Sequence, residues 1–187
     1  MQIRPATVKD VPAIAALIAE YALRGRMLFR SHAELYEAIR DFTVAVGDDG
    51  GILGVCALEI VWADLAEVRS LVVSSAAQKR GIGRALVEAV VDEARRLQIR
   101  RVFALTYEEA FFARLGFGVV EKAALPSKVW SVCIKCPKRD GCDEIAMVRT
   151  IEEVPAVEAE SADSHAELRY EVPTPLVQIN AKHGSWG

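Results

Sequence analysis

A basic turn with two glycines, Gln78-Lys79-Arg80-Gly81-Ile82-Gly83, joins an apolar run to an amphipathic one within residues 69–86. The upstream run, with Leu71-Val72-Val73, has the alternation and β-branched content of a strand. Downstream, residues 83–97 carry Leu86, Val90 and Leu97 on one helical face, with Arg84, Glu88, Asp92 and Arg96 toward another. A strand that passes through so short a turn into a helix must be covered by that helix, and the apolar run at 101–107 then returns beside it. Glycine frees the turn to aim successive backbone N–H groups outward at a helix N-terminus, an arrangement suited to a pyrophosphate. Lys79 and Arg80 add positive charge at the same point. The chain is therefore expected to bind a phosphate-bearing small molecule.

Around this unit the pattern predicts further elements. Residues 3–6 read as a short strand, and Asp10 followed by Pro12 opens a helix through Ile14, Ile18 and Tyr21. Ser31-His32-Ala33-Glu34 has the form of a capping box for a second helix reaching about Arg40. Two strands, 43–46 and 52–61, flank the turn Gly47-Asp48-Asp49-Gly50-Gly51 as a hairpin, and a third follows at 66–75. Residues 108–115 form a short helix ending at Gly116, and strands are expected at 117–121 and 145–148. The predicted class is α/β: a mixed, partly parallel central sheet flanked by helices.

Residues 1–150 are expected to form one domain, and 151–187 an acidic linker and tail, because 152–163 are rich in Glu and Ala and lack aromatic residues. A formal charge of −3 argues against non-specific nucleic-acid binding. No apolar run reaches the ~20 residues that cross a bilayer, and the N-terminus lacks a signal-peptide pattern, so a cytoplasmic location without a membrane partner is expected. Cys133, Cys136 and Cys142 crowd together and offer three ligands to a structural metal, for which zinc would want a fourth; reduced thiols in a tight loop are the alternative.

Gln78-Lys79-Arg80-Gly81-Ile82-Gly83 resembles the Gln/Arg-x-x-Gly-x-Gly/Ala signature of the GNAT acetyltransferase superfamily, and Phe112-Ala113-Arg114-Leu115-Gly116-Phe117 resembles its later Tyr-x-x-Leu-Gly-Phe pattern. Segments 34–42, 54–58, 67–73 and 125–130, with the cysteine cluster after them, are similar to the short amino-acid N-acetyltransferases related to N-acetylglutamate synthase. The resemblance implies acetyl transfer from acetyl-CoA to the α-amine of a small amino acid, glutamate or glutamine, as the first step of arginine biosynthesis. It also implies that Leu71, Val72 and Val73 face the acetyl and pantetheine groups, and that Gln78, Lys79, Arg80, Gly81, Ile82, Gly83 and Arg84 surround the pyrophosphate. Phe112 is expected at the cofactor as well. Superfamily members often form dimers, so a homodimer is an open expectation.

Direct attack by an amine requires that an α-ammonium first lose a proton. Glu67, on the central strand, is the candidate base, and the Val72 amide the candidate oxyanion donor. Many superfamily members carry a tyrosine where this chain has Phe112, and phenylalanine cannot protonate the departing thiolate. For an acidic acceptor, Arg30, Arg69 and Lys128 are the candidate carboxylate ligands. Arg69 lies two residues from Glu67 on the same strand face, so an internal ion pair is equally consistent with the spacing. Two rival readings stay open: acetylation of another small amine, and a non-catalytic acyl-CoA-binding regulatory module.

Overall fold

The paired strand and helix around the glycine turn sit at the centre of the sheet. In a computed structural model, residues 1–125 and 143–156 are described. The strands are β1 (Gln2–Pro5), β2 (Phe42–Val46), β3 (Ile52–Trp62), β4 (Leu65–Val73), β5 (Arg101–Thr106), β6 (Gly118–Val119) and β7 (Ile145–Thr150). The helices are α1 (Val11–Leu23), α2 (His32–Glu37), α3 (Ile82–Arg96) and α4 (Glu109–Ala113). The sheet order is β1-β2-β3-β4-β5-β7-β6, with β4 and β5 parallel and the other neighbours antiparallel. The mixed α/β architecture matches the sequence expectation.

α3 covers one face of the sheet. Ile82, Leu86, Val87, Val90, Val91 and Ala94 are buried along it against Cys56, Leu58, Ala66, Val68 and Val102. The apolar face expected to include Leu97 stops short of it. Leu97 caps the helix and is half exposed, while Gln98 takes φ 60° and turns Ile99 inward, where its N–H donates to the Ala94 carbonyl. α1 and α2 cover the other face, burying Val11, Ile14, Ile18 and Leu35 against Phe42, Val44, Val55, Ala57 and Val72. Asp10 precedes α1 as expected but does not cap it with its side chain. Its carboxylate accepts two bonds from Arg4, at 2.7 and 2.9 Å, and one from the Thr7 amide, which holds its pKa well below the usual carboxylate range. Ile151 and Val154 are both buried in the α3-side core, so packing continues beyond residue 150.

The sheet opens at its centre. β4 pairs with β5 only through Leu65↔Arg101, Ala66↔Val102 and Glu67↔Phe103, although β4 runs on to Val73 and β5 to Thr106. β4 stays with β3 as far as Gly54↔Val73, and β5 stays with β7 as far as Thr106↔Ile145. The two halves of the sheet therefore fork at Glu67. A register shift between Val55 and Ala57 coincides with Ser70 at φ 51°, a bulge that turns β4 away from β5.

Gly54 faces this bent strand closely: a Cβ there would lie 2.9 Å from the Val72 carbonyl oxygen and 3.1 Å from Leu86. Gly54→Ala is expected to destabilise the fold by about 1–3 kcal/mol, because a strand backbone cannot yield as a side chain does. A denaturant midpoint equal to wild type would contradict this close approach.

Candidate active site

Beyond Glu67 the fork leaves one edge of β4 without a strand partner among the described residues. The Ser74 N–H donates to the Leu53 carbonyl at 2.8 Å, so Ser74 faces β3. Backbone groups alternate along a strand, which puts Val72 on the β3 side and Leu71 and Val73 on the open side. The position of the Val72 carbonyl close to Gly54 agrees. Val72 is paired with Val55 and almost fully buried. The oxyanion donor expected at Val72 is thus better matched by the Leu71 amide; the bulge that reverses the alternation has no sequence signature.

The glycine turn continues from this edge. Lys79 takes φ 61° and Gly81 φ 79°, two left-handed residues that curl the amides of the turn into a concave set. A Cβ on Gly81 would meet nothing within 4 Å, so its backbone angle, not crowding, calls for glycine. Gly81 caps α3 and has no side chain to satisfy the first helical amides. Lys79, Arg80 and Arg84 are exposed around this mouth, whereas the Ile82 side chain is buried and only its backbone can reach a ligand. Gln78 is exposed, and its side chain donates to the Tyr21 hydroxyl rather than standing free.

Phe112, expected beside the cofactor, is a core residue: it is 4% exposed and packs edge-on against Phe111 and Phe117 with ring centroids 5.1 Å away in each case. The short α4 turns it inward. Phe111 takes the outward position, its ring 3.5 Å from where a Cβ of Gly83 would be, with Val73 beside it.

The second part of the site is a charged patch on the face covered by α1 and α2. On β3, Val55 and Ala57 belong to the α1/α2 core and Val61 to a separate cluster with Leu65 and Phe103; Glu59 lies between them. On β4, Leu65 and Val72 belong to the same two clusters, with Glu67 and Arg69 between. Glu59 and Glu67 are directly opposed across the strands. Arg69 relieves this like-charge pair: it forms a tight ion pair with Glu59 and lies 3.7 Å from Glu67 through Nε. Burial raises the Glu67 pKa to about 7, Glu59 and Glu144 push the same way, and Arg69 and Arg30 oppose them. Glu67 therefore stands at the fork with the affinity of a base poised near neutrality. Glu59 was not legible as a site residue, because its role depends on strand register.

Arg30 reaches the same patch from the loop before α2. Its guanidinium lies 5.4 Å from the centre of the Phe42 ring. Its place is fixed by the capping box, confirmed here: Ser31 N–H and Oγ bond to Glu34 at 2.7 and 2.8 Å, and Ser31 Oγ accepts from the Glu34 amide. Burial, then the charge of Arg69, lowers the Arg30 pKa. Among the described residues its side chain makes no hydrogen bond or ion pair, so it is a half-desolvated cation available to a carboxylate. Arg69, its fellow candidate, is engaged internally. Asp41, at the foot of the patch, has a pKa raised by burial and by Glu59. Lys128, Cys133, Cys136 and Cys142 lie outside the described residues; among those described, no group of three His, Cys, Asp or Glu is placed to hold a metal ion, and the metal expectation gains no support. Among them, too, no helix is long and apolar enough to cross a membrane.

Residues 15–117 match the family model of the acetyltransferase (GNAT) family. An uncharacterized N-acetyltransferase of Chlorobaculum tepidum is 42% identical over 80% of this chain and 96% of its own length. An amino-acid acetyltransferase of Mycobacterium tuberculosis is 41% identical over 68% of this chain and 74% of its own. Among solved structures, Rv2747 of M. tuberculosis in complex with CoA and NLQ superposes with a TM-score of 0.71 at 33% identity, covering 81% of this chain and 99% of that one. N-acetylglutamate synthase of Neisseria gonorrhoeae, complexed with coenzyme A and N-acetyl-glutamate, superposes with a TM-score of 0.72 at 33% identity, covering 80% of this chain and 34% of that larger one.

The charge arrangement predicts that Glu59→Gln removes a repelling carboxylate and releases Arg69 toward Glu67. The midpoint of a carbon-13 titration of the Glu67 carboxyl is expected at about 7 in wild type and roughly one unit lower in the variant. A midpoint that stays in place would contradict the coupling.

Proposed function

This chain belongs to the acetyltransferase (GNAT) family, and on that premise we propose that it transfers the acetyl group of acetyl-CoA to the α-amine of an amino acid, glutamate or glutamine. The observation that carries the reading is the meeting, at the fork, of three things: an open strand edge, a largely buried carboxylate with its pKa raised to about 7, and an arginine whose side chain makes no hydrogen bond or ion pair among the described residues.

In this reading the pantetheine arm lies along β4 as an added strand, using the outward amides of Leu71 and Val73. The amides from Lys79 to Arg84 receive the pyrophosphate at the head of α3. Glu67 takes one proton from the acceptor ammonium, directly or through a water. The freed amine attacks the thioester carbon, and the Leu71 N–H steadies the oxyanion that forms. Collapse of that intermediate breaks the C–S bond and expels the thiolate, while the nitrogen loses its second proton to water. Phe112 supplies no proton, and coenzyme A thiolate is a stable enough leaving group to be protonated by solvent. The acceptor's carboxylate goes to Arg30, and Arg69 serves by tuning Glu67. Lys128 is retained as a proposed second cation for an acidic side chain.

Glutamate and glutamine are favoured by the sequence resemblance and by relatives whose names carry amino-acid and N-acetylglutamate activities. With glutamate as acceptor, the reaction would be the first step of arginine biosynthesis in the cytoplasm.

A thiol-release assay with acetyl-CoA and each of the twenty amino acids is expected to give the highest kcat/KM with glutamate or glutamine, with an acid limb near pH 7 because only the ionised Glu67 accepts a proton. Arg30→Ala should raise the acceptor KM about tenfold or more and leave the acetyl-CoA KM within about twofold. Turnover with polyamines but no amino acid would overturn the acceptor assignment, and tight acetyl-CoA binding without any turnover would replace catalysis with a binding role.

A further inference from the structure

We propose that Tyr21 is a positioning residue for acetyl-CoA, its phenol fastening the open end of β4 to the pyrophosphate turn. The inference rests on the acetyl-CoA reading above and is independent of the acceptor. Tyr21 lies near the C-terminal end of α1, on the sheet face opposite α3. Its hydroxyl donates to the Val73 carbonyl at 2.7 Å and accepts from Nε2 of Gln78 at 2.5 Å.

Val73 and Gln78 belong to the two halves of the cofactor site. Val73 is the last residue of β4, on the side that β5 has left, so among the described residues no neighbouring strand supplies a donor for its carbonyl. Gln78 opens the basic turn and stands immediately before Lys79, the first left-handed residue of the curled amides. Between them run Ser74 and a single turn of 3-10 helix, Ser75–Ala77, too short a piece to set the angle between strand and turn by itself. The phenol closes that span with one oxygen used in both directions, as donor to one half and acceptor from the other. The Tyr21 ring is itself held: it packs against the α1/α2 core, and the Arg24 guanidinium lies 5.7 Å from its centre.

This changes the part assigned to Gln78. In the sequence it is the first letter of the phosphate-binding signature; in the fold its side chain is spent on Tyr21, and its contribution to the ligand passes through the backbone it steadies. Phenylalanine at 21 would keep the packed ring and lose both bonds, and leucine at 78 would lose one at an exposed position.

The test uses calorimetric titration with coenzyme A, steady-state kinetics with acetyl-CoA and thermal melting on wild type, Tyr21→Phe, Gln78→Leu and the double variant. Each single substitution is expected to raise the coenzyme A Kd and the acetyl-CoA KM about tenfold, with kcat within about twofold and the acceptor KM unchanged. The double variant should bind no more weakly than the weaker single, because both changes break one link. Coenzyme A binding equal to wild type in Tyr21→Phe, with or without a lowered Tm, would overturn the proposal, as would additive losses in the double variant. If Tyr21→Phe fails to fold, wild-type affinity in Gln78→Leu overturns it alone. Wild-type protein that binds no coenzyme A would instead remove the acetyl-CoA reading on which the proposal stands.

Discussion

After Glu67, β4 diverges from β5, and the geometry of the site follows from that break. A parallel pair that continued to Val73 would satisfy every strand amide internally and leave no edge for a ligand. Here pairing stops after three residue pairs, and the bulge at Ser70 carries β4 away. The cost of an unpaired central edge is limited by β3 and β7, which hold the two halves over almost their whole lengths. Glu67 stands at the vertex because it is the last paired residue of β4 opposite Phe103. The same break thus creates a row of available backbone groups and fixes the carboxylate next to where that row begins.

Charge in the site is organised by strand register. The apolar face beneath α1 and α2 is interrupted by Glu59, Glu67 and Arg69, and burying such groups is tolerable only when they compensate one another. Arg69 is shared unequally. Its stronger hold on Glu59 leaves Glu67 less stabilised as an anion, and burial then raises its proton affinity. A strand of alternating Leu, Glu and Arg would suggest a simple ion pair. The opposed glutamates turn that pair into a means of raising the proton affinity of Glu67.

Much of this was readable before the structure, but unevenly. The glycine turn, the amphipathic α3 and the Ser31 capping box are local signals, each written within a few residues, and the fold follows them closely. Glu67 and Arg30 were legible as a strand carboxylate and a cation before a helix, and the structure brings both to one charged patch. What escaped the sequence depends on contacts between distant elements. Tyr21 and Val73 are 52 positions apart, and Glu59 meets Glu67 only through hairpin register. The inward turn of Phe112 and the outward place of Phe111 reflect the rotation of a single short helix, and the placement of Val72 and Leu71 a single bulge; a one-residue change of phase reverses which group faces outward.

Among the described residues, the Leu71 and Val73 amides form an edge with no strand partner, while Val72 belongs to the sheet. Residue-resolved amide hydrogen exchange, with and without saturating coenzyme A, addresses this arrangement most directly. Fast exchange at Leu71 and Val73 is expected in the free protein, with strong protection of both on adding coenzyme A and a Val72 amide that is protected throughout. Leu71 and Val73 amides already protected in the free protein, or unchanged by the ligand, would contradict it.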